Sequence, residues 1–189
     1  MLLFFDTETT GLWDFKSKWN SEVQPNLVQL AFILTTNEGI KLGSSSLIIQ
    51  PNKFEIPIDA SDIHGITTDY ALKHGIPLKL ALDLFEYFAL KADFCISHNF
   101  TFDSSMVNVS LNRLMRQTFI GREKGYCTML HSTQICKLPK KNGNAGYKWP
   151  TLMEAYVYFF DEAFDDAHNA EADVEACKRI YFKLKEIEK

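Results

Sequence analysis

No stretch of the chain approaches the roughly 18 consecutive apolar residues that a membrane-spanning helix needs. The apolar run at the N-terminus, Leu2-Leu3-Phe4-Phe5, is followed at once by Asp6 and is too short for the core of a secretion signal. Cysteine is scarce. Cys95, Cys127, Cys136 and Cys177 form no C-x-x-C pair, and no histidine stands at zinc spacing from two of them. They read as reduced thiols, so a cytoplasmic protein is expected. There is no internal repeat and no low-complexity tract. Positive charge does not dominate either: the net charge is −4, which argues against a DNA coat or a nonspecific DNA binder. Collagen, coiled coil, membrane protein and disordered chain are all excluded.

What is present suits one globular unit. The 189 residues, 46% of them hydrophobic, can bury about 70% of their unfolded surface without a disulfide or structural metal. The modest net charge conceals an asymmetry. Ser104 to Met153 holds eight basic residues (Arg113, Arg116, Arg122, Lys124, Lys137, Lys140, Lys141, Lys148) and one acid, Glu123, a net +7. Glu154 to Glu175 holds eight acids and no Lys or Arg. Solvated faces account for most such runs; a cation site beside a polyanion-binding surface is the sharper reading.

Met1 to Asp6 reads as a buried strand, and Asn26–Thr36 and Gly43–Gln50 as two more. Asn37-Glu38-Gly39 between the latter pair signals an antiparallel hairpin. Trp13 to Pro25 is then a loop, long for a plain connection and carrying two Trp. Leu78–Lys91 has helical apolar spacing, Phe94–Ser97 reads as a short buried strand, and Asp103–Gln117 reads as a helix. A weak strand is expected around Tyr126–Met129 and a Gly/Asn/Lys loop over Lys140–Gly146. Stripes at Leu152, Ala155, Tyr156, Phe159 and Phe160, and at Val174, Cys177, Tyr181 and Leu184, predict two final helices, the last from about residue 169. Strands first as a meander, then alternating with helices, predict one α/β domain over 1–189: a mixed β-sheet covered by helices, with no linker.

Asp6 and Glu8 stand two apart at the end of the first strand, so both carboxylates point to one face. Two carboxylates at the edge of a core repel each other and lose hydration, and a hard divalent cation with oxygen ligands compensates for this. Taken alone, the pair could equally face water. Asn99 and Asp103 follow the strand Phe94–Ser97; Asp103 falls in the first turn of the next helix, where a carboxylate also serves helix N–H groups, and Asn99 suits an N-cap. His168 and Asp173 flank the start of the last helix among the small residues Ala167, Ala170 and Ala172. A capping imidazole and a stripe-edge Asp are the plain readings of these two.

In order, the sites are Phe5-Asp6-Thr7-Glu8-Thr9-Thr10-Gly11-Leu12, then Ser97-His98-Asn99-Phe100-Thr101-Phe102-Asp103, then Ala167-His168-Asn169-Ala170-Glu171-Ala172-Asp173-Val174, with Ile63-His64-Gly65-Ile66-Thr67 between the first two. This series resembles the DEDDh branch of the DnaQ-like 3′–5′ exonucleases over nearly the whole chain. The resemblance implies a ribonuclease H-like fold. It implies that Asp6, Glu8, Asp103 and Asp173 hold two divalent cations, Mg²⁺ or Mn²⁺, and that His168 is the general base of phosphodiester hydrolysis; a tyrosine there would mark the sister branch. It implies that Thr7, Thr9, Leu12, Ile63, His64, Asn99 and Phe102 contact the terminal nucleotides, with Leu12 wedged against a base and Phe102 stacked. Leu12, Ile63 and Phe102 are equally suited to a core. The expected partner is a nucleic-acid 3′ end, single-stranded DNA or a mismatched end first, with no membrane. The chain ends soon after Asp173, inside the last helix, so no polymerase-docking tail is expected. An RNA 3′-end trimming enzyme of the same family, a catalytically quiet docking module of a replication or repair complex, and a small-molecule phosphate or sugar hydrolase are the competing readings.

Overall fold

The computed structural model describes residues 1–117, 120–141, 145–165 and 169–188. Its centre is β1 (Leu2–Thr9), which opens on four apolar residues, Leu2 to Phe5, buried on both faces. β2 (Leu27–Thr35) pairs antiparallel with it and is buried along its whole length. β3 (Lys41–Ile48) closes the antiparallel meander at an edge. In the β2–β3 turn, Gly39 has φ 91°, and a Cβ there would come within 2.9 Å of the Phe182 ring, so both the backbone sign and the close approach require glycine.

From there the chain crosses over. α1 (Ile58–His64), α2 (Thr68–His74) and α3 (Leu78–Lys91) lead to β4 (Phe94–Ser97), which lies parallel to β1 on its other side. α4 (Phe100–Arg113) and a short 3₁₀ turn at Arg122–Lys124 lead to β5 (Gly125–Cys127), parallel to β4. α5 (Thr128–Cys136), α6 (Leu152–Phe160) and α7 (Ala170–Ile187) complete the chain. The sheet order is β3-β2-β1-β4-β5, mixed and five-stranded among the described residues. This is the α/β sandwich expected from the element order.

Strand alternation divides the core in two. Leu3 and Phe5 of β1 face α3 and α4, packing with Phe32, Leu82, Phe85, Met106 and Val107. Leu2 and Phe4 face the other way, against Val174, Ile180, Tyr181 and Leu184 of α7 and Ala155 and Tyr156 of α6. A smaller cluster of Val28, Ile56, Ala60, Ile66 and Ala71 seats α1 and α2. No helix among the described residues is long and apolar enough to cross a membrane.

Several boundaries differ from the sequence reading. β1 runs to Thr9, so Asp6 and Glu8 lie within the strand and are held by its pairing with Ala31 and Gln29 of β2. α4 starts three residues before Asp103 and stops at Arg113. The weak strand expected over Tyr126–Met129 ends at Cys127, because α5 begins at Thr128. α1, α2 and α5 carry no clear apolar stripe in the sequence and are additions. The four cysteines are free.

Phe85 bridges two other rings of this face, 5.3 Å from Phe5 and 5.6 Å from Phe32, ring centre to ring centre. Phe85→Ala removes both contacts and leaves a cavity, so urea unfolding should show a loss of about 3–5 kcal/mol. A loss below about 1 kcal/mol would mean that this face is not closely packed.

Candidate active site

Asp6 and Glu8 leave the same face of β1 as Leu2 and Phe4, toward the start of α7. There Asp173 stands in the first turn of the helix, and it is 8% exposed. Ala170 and Ala176, buried against the sheet, allow α7 to approach closely enough for the three to meet. One carboxylate oxygen from each of Asp6, Glu8 and Asp173 can be chosen so that all lie within 4.8 Å of one another. Asp103, 3% exposed, enters from the first turn of α4. Thr7 points away from Asp6, toward α4, and its hydroxyl donates to Asp103 Oδ1 at 2.8 Å. Asp103 thus faces the β1 pair from the opposite layer.

The electrostatics follow from this crowding. Burial raises the Asp6 carboxyl well above the usual carboxylate range, and the charges of Asp103, Glu8 and Asp173 add to the rise. Burial, then Asp173 and Asp103, push Glu8 up to about 8. Burial pushes Asp103 up to about 6, against the opposing hydroxyls of Thr7 and Ser97. Among the described residues, no basic side chain contributes to these shifts. Among the described residues the donor set is entirely carboxylate oxygen, which suits a hard divalent cation and not a soft one. The residues therefore fit a divalent-metal site.

His168 lies outside the described residues. The nearest described neighbour, Asn169, caps α7 by accepting the Glu171 N–H at 3.0 Å.

The remaining expected contacts divide into groups. Leu12 is 88% exposed and Ile63 is 60% exposed, so neither is a core residue. Phe102 is half-buried and packs partly on the core. Asn99 occupies the N-cap of α4 without capping it through its side chain. Leu12, Asn99 and Phe102 line one cavity of about 730 Å³. His64 closes α1, and its Nδ1 accepts the Ile66 N–H at 3.1 Å; burial lowers its pKa while the Thr9 backbone raises it, which sets the ring beside the end of β1. Thr9 donates its hydroxyl to the Gly11 carbonyl at 2.7 Å. Thr7 is buried and engaged with Asp103, which makes it a positioning residue.

The sequence reading missed His98 and the outer cavity wall. His98 is buried, with Nδ1 2.9 Å from the Thr128 hydroxyl and Nε2 3.0 Å from the Pro150 carbonyl. A carbonyl only accepts, so Nε2 carries the proton and Nδ1 accepts from Thr128. Burial takes its pKa down to about 4, which keeps the ring neutral. The tie joins the start of α4 to the segment before α6. Trp13, Phe15 and Trp149 line the same cavity as Asn99 and Phe102. Trp13 and Phe15 belong to the Trp13–Pro25 loop, whose two Trp were its only signal; Trp149 lies outside that loop and carried none.

Comparison with known proteins agrees with this site. A family model of the RNase T group, described as exonuclease, matches residues 3–181. The chain belongs to this exonuclease family, within the DnaQ-like exonucleases of the ribonuclease H-like superfamily. It is similar to DNA polymerase III subunit epsilon of Buchnera aphidicola subsp. Schizaphis graminum, 27% identical over 136 residues, 72% of this chain and 55% of that protein. It shares its fold with E. coli exonuclease I solved with a dT13 oligonucleotide (TM-score 0.73, 18% identity, 97% of this chain, 40% of that one). It also shares it with exonuclease I from Methylocaldum szegediense (TM-score 0.74, 21% identity, 98% and 40%). The chain thus spans about half the length, or less, of these relatives.

The raised carboxyls give a testable pH dependence. A carboxyl whose pKa is higher folded than unfolded contributes stability below its unfolded pKa and loses it as pH rises through its folded pKa. With cations chelated, the melting temperature should therefore fall between about pH 4.5 and pH 8, the span of the Glu8 shift. Asp6→Asn should flatten this fall and raise the melting temperature of the metal-free protein at pH 8. A pH-independent melting temperature over that span, or a variant less stable than the parent at pH 8, would show that the carboxylates do not repel one another.

Proposed function

We propose that residues 1–189 form one 3′–5′ exonuclease domain that hydrolyses phosphodiester bonds of single-stranded DNA or mismatched ends and releases nucleoside 5′-monophosphates. The observation that carries this reading is the convergence of Asp6, Glu8 and Asp173 within 4.8 Å, with Asp103 raising the pKa of Asp6 and Glu8. Membership of an exonuclease family and the dT13-bound fold relative support the reaction class and the single-stranded substrate.

Asp6, Glu8, Asp103 and Asp173 are the residues that would hold two divalent ions, Mg²⁺ or Mn²⁺. When bound, such ions supply Lewis-acid stabilisation of charge on the reacting phosphate. The rest of the work falls to the chain. Thr7 holds Asp103 in place through its hydroxyl. His168, five residues before Asp173, accepts the proton of the attacking water, because imidazole titrates near working pH. Leu12, 88% exposed beside the Asn99–Phe102 wall, meets the terminal base. Ile63 and His64, at the end of α1, would contact the same nucleotide, and Thr9 orders the turn before Leu12. Lys140 and Lys141, in the +7 segment, contact phosphates upstream of the 3′ end. Four free thiols suit the reducing cytoplasm.

A 5′-labelled single strand should shorten from its 3′ end one nucleotide at a time, and excess EDTA should stop this. Asp103→Asn should lose more than about 10³-fold in kcat with the fold retained, and His168→Ala roughly 10²–10⁴-fold. Turnover of the parent in excess EDTA, or a fully active Asp103→Asn, would contradict the reading. Lys140→Glu with Lys141→Glu should raise KM for long strands and flatten its salt dependence with kcat near that of the parent. An unchanged salt slope would confine these lysines to keeping their loop soluble.

A further inference from the structure

The Trp13–Pro25 loop has no part in the chemistry above, yet it is firmly built. Gln24 is 1% exposed; its Oε1 accepts the Asp14 N–H at 3.0 Å, and its Nε2 donates to the carbonyls of Asp14 and Lys18 at 2.8 and 3.2 Å. Arg113, at the end of α4, donates to the carbonyls of Gln24 and Pro25 at 2.5 and 2.8 Å and to Asn26 Oδ1 at 2.9 Å. A loop fixed at so many points nevertheless holds Phe15 90% exposed. The facing wall is fixed as well: Trp149, 65% exposed, precedes Pro150, whose carbonyl is tied to buried His98. Phe15 and Trp149 line the cavity of about 730 Å³ together with Asn99 and Phe102, the residues that flank Asp103. A second cavity of about 260 Å³ shares Trp13 and Ser105 with the first and continues past Trp19 and Asn108. Phe102, Ser105 and Asn108 are three apart on α4, so the groove follows one face of the helix away from the carboxylates for about 9 Å.

Aromatic rings held out into water beside an active site, on rigid supports, are suited to a flat, weakly hydrated partner. Exposed Lys16 and Lys18 alternate with these rings in the loop, while Lys148, beside Trp149, is paired with Glu154. Rings for bases interleaved with cations for phosphates make up a single-strand binding track. Cys127, on the wall of the larger cavity, feels the Asp103 charge, and this nearness to the carboxylate site favours the substrate strand over a separate protein partner.

We propose that Phe15 and Trp149 form a nucleobase-stacking site for single-stranded DNA, upstream of the 3′-terminal nucleotide, with the groove past Trp13 and Trp19 carrying the strand onward. This rests on the exonuclease reading of the carboxylate site, and it accounts for selection of unpaired strands, since a paired base offers no free face to a ring.

The test measures binding in Ca²⁺ of 5′-fluorescein dT8 and of a strand of equal length whose nucleotides are abasic except for the two at the 3′ end. The parent should bind dT8 roughly tenfold or more tightly than the abasic strand. Phe15→Ala with Trp149→Ala should remove most of that difference by weakening dT8, and Trp149→Phe should keep it. Should the double variant fail to fold, Phe15→Ala alone, in an exposed position, should reduce the difference. Equal binding of the two strands by the parent, as expected if the groove serves a protein partner, or an undiminished difference in the folded alanine variants, would overturn the proposal. Nucleotide release from dT8 by the parent in Mn²⁺ is read separately. Release without base discrimination overturns the stacking site alone. Base discrimination without release leaves the stacking site standing and contradicts the exonuclease reading.

Discussion

Four carboxylates confined to one partly dry pocket are the constraint on which the rest of this molecule depends. Burial pushes Asp6, Glu8 and Asp103 toward the neutral form, neighbouring carboxylates add to this for Asp6 and Glu8, and no basic side chain among the described residues offsets it. Such a cluster opposes folding in the metal-free protein above the ordinary carboxylate range. The surrounding fold must therefore hold it in place. β1 does so as the central strand, paired on both sides, with β2 buried along all of its length.

The two faces of β1 divide the work. The even face carries Asp6 and Glu8 to meet Asp173 on α7, and the odd face carries Thr7 to the Asp103 carboxylate on α4. One strand thereby positions ligands that arrive from both helical layers. The same economy extends outward. His98 follows β4 and fixes Pro150, and Arg113 ends α4 and fixes the aromatic loop, so the walls of the neighbouring groove are tied to the elements that carry the acids. The groove and the acid cluster are parts of one rigid arrangement.

Much of this was legible in the residues. Period-two alternation placed Asp6 and Glu8 on one face, and the apolar spacing of Leu78–Lys91 matches α3 end to end. The strand Phe94–Ser97 was likewise read at its full extent. The misses have physical causes. α1 and α2 have seven residues each, too short for a stripe to show. α5 contains Thr128, His131, Ser132, Thr133 and Cys136, which are weak helix formers, so its start passed for a strand continuing from β5. Asp103 was read as a first-turn residue, but its bond to Thr7 is set by the packing of α4 on β1, and spacing alone does not give that. The cavity is least legible of all: Phe15 and Trp149 are far apart in the chain and line one cavity on segments tied to Arg113 and His98.

The measurement that bears most directly on the account is calorimetric titration of the metal-free protein with Mn²⁺ in two buffers of different ionisation enthalpy. Cation binding must displace the protons that the crowded carboxyls retain, Glu8 with its pKa near 8 among them. The account predicts saturable binding at pH 7 with net proton release, declining toward pH 9, and loss of that binding in Asp6→Asn. Absence of saturable binding, or binding with no proton release at pH 7, would contradict it.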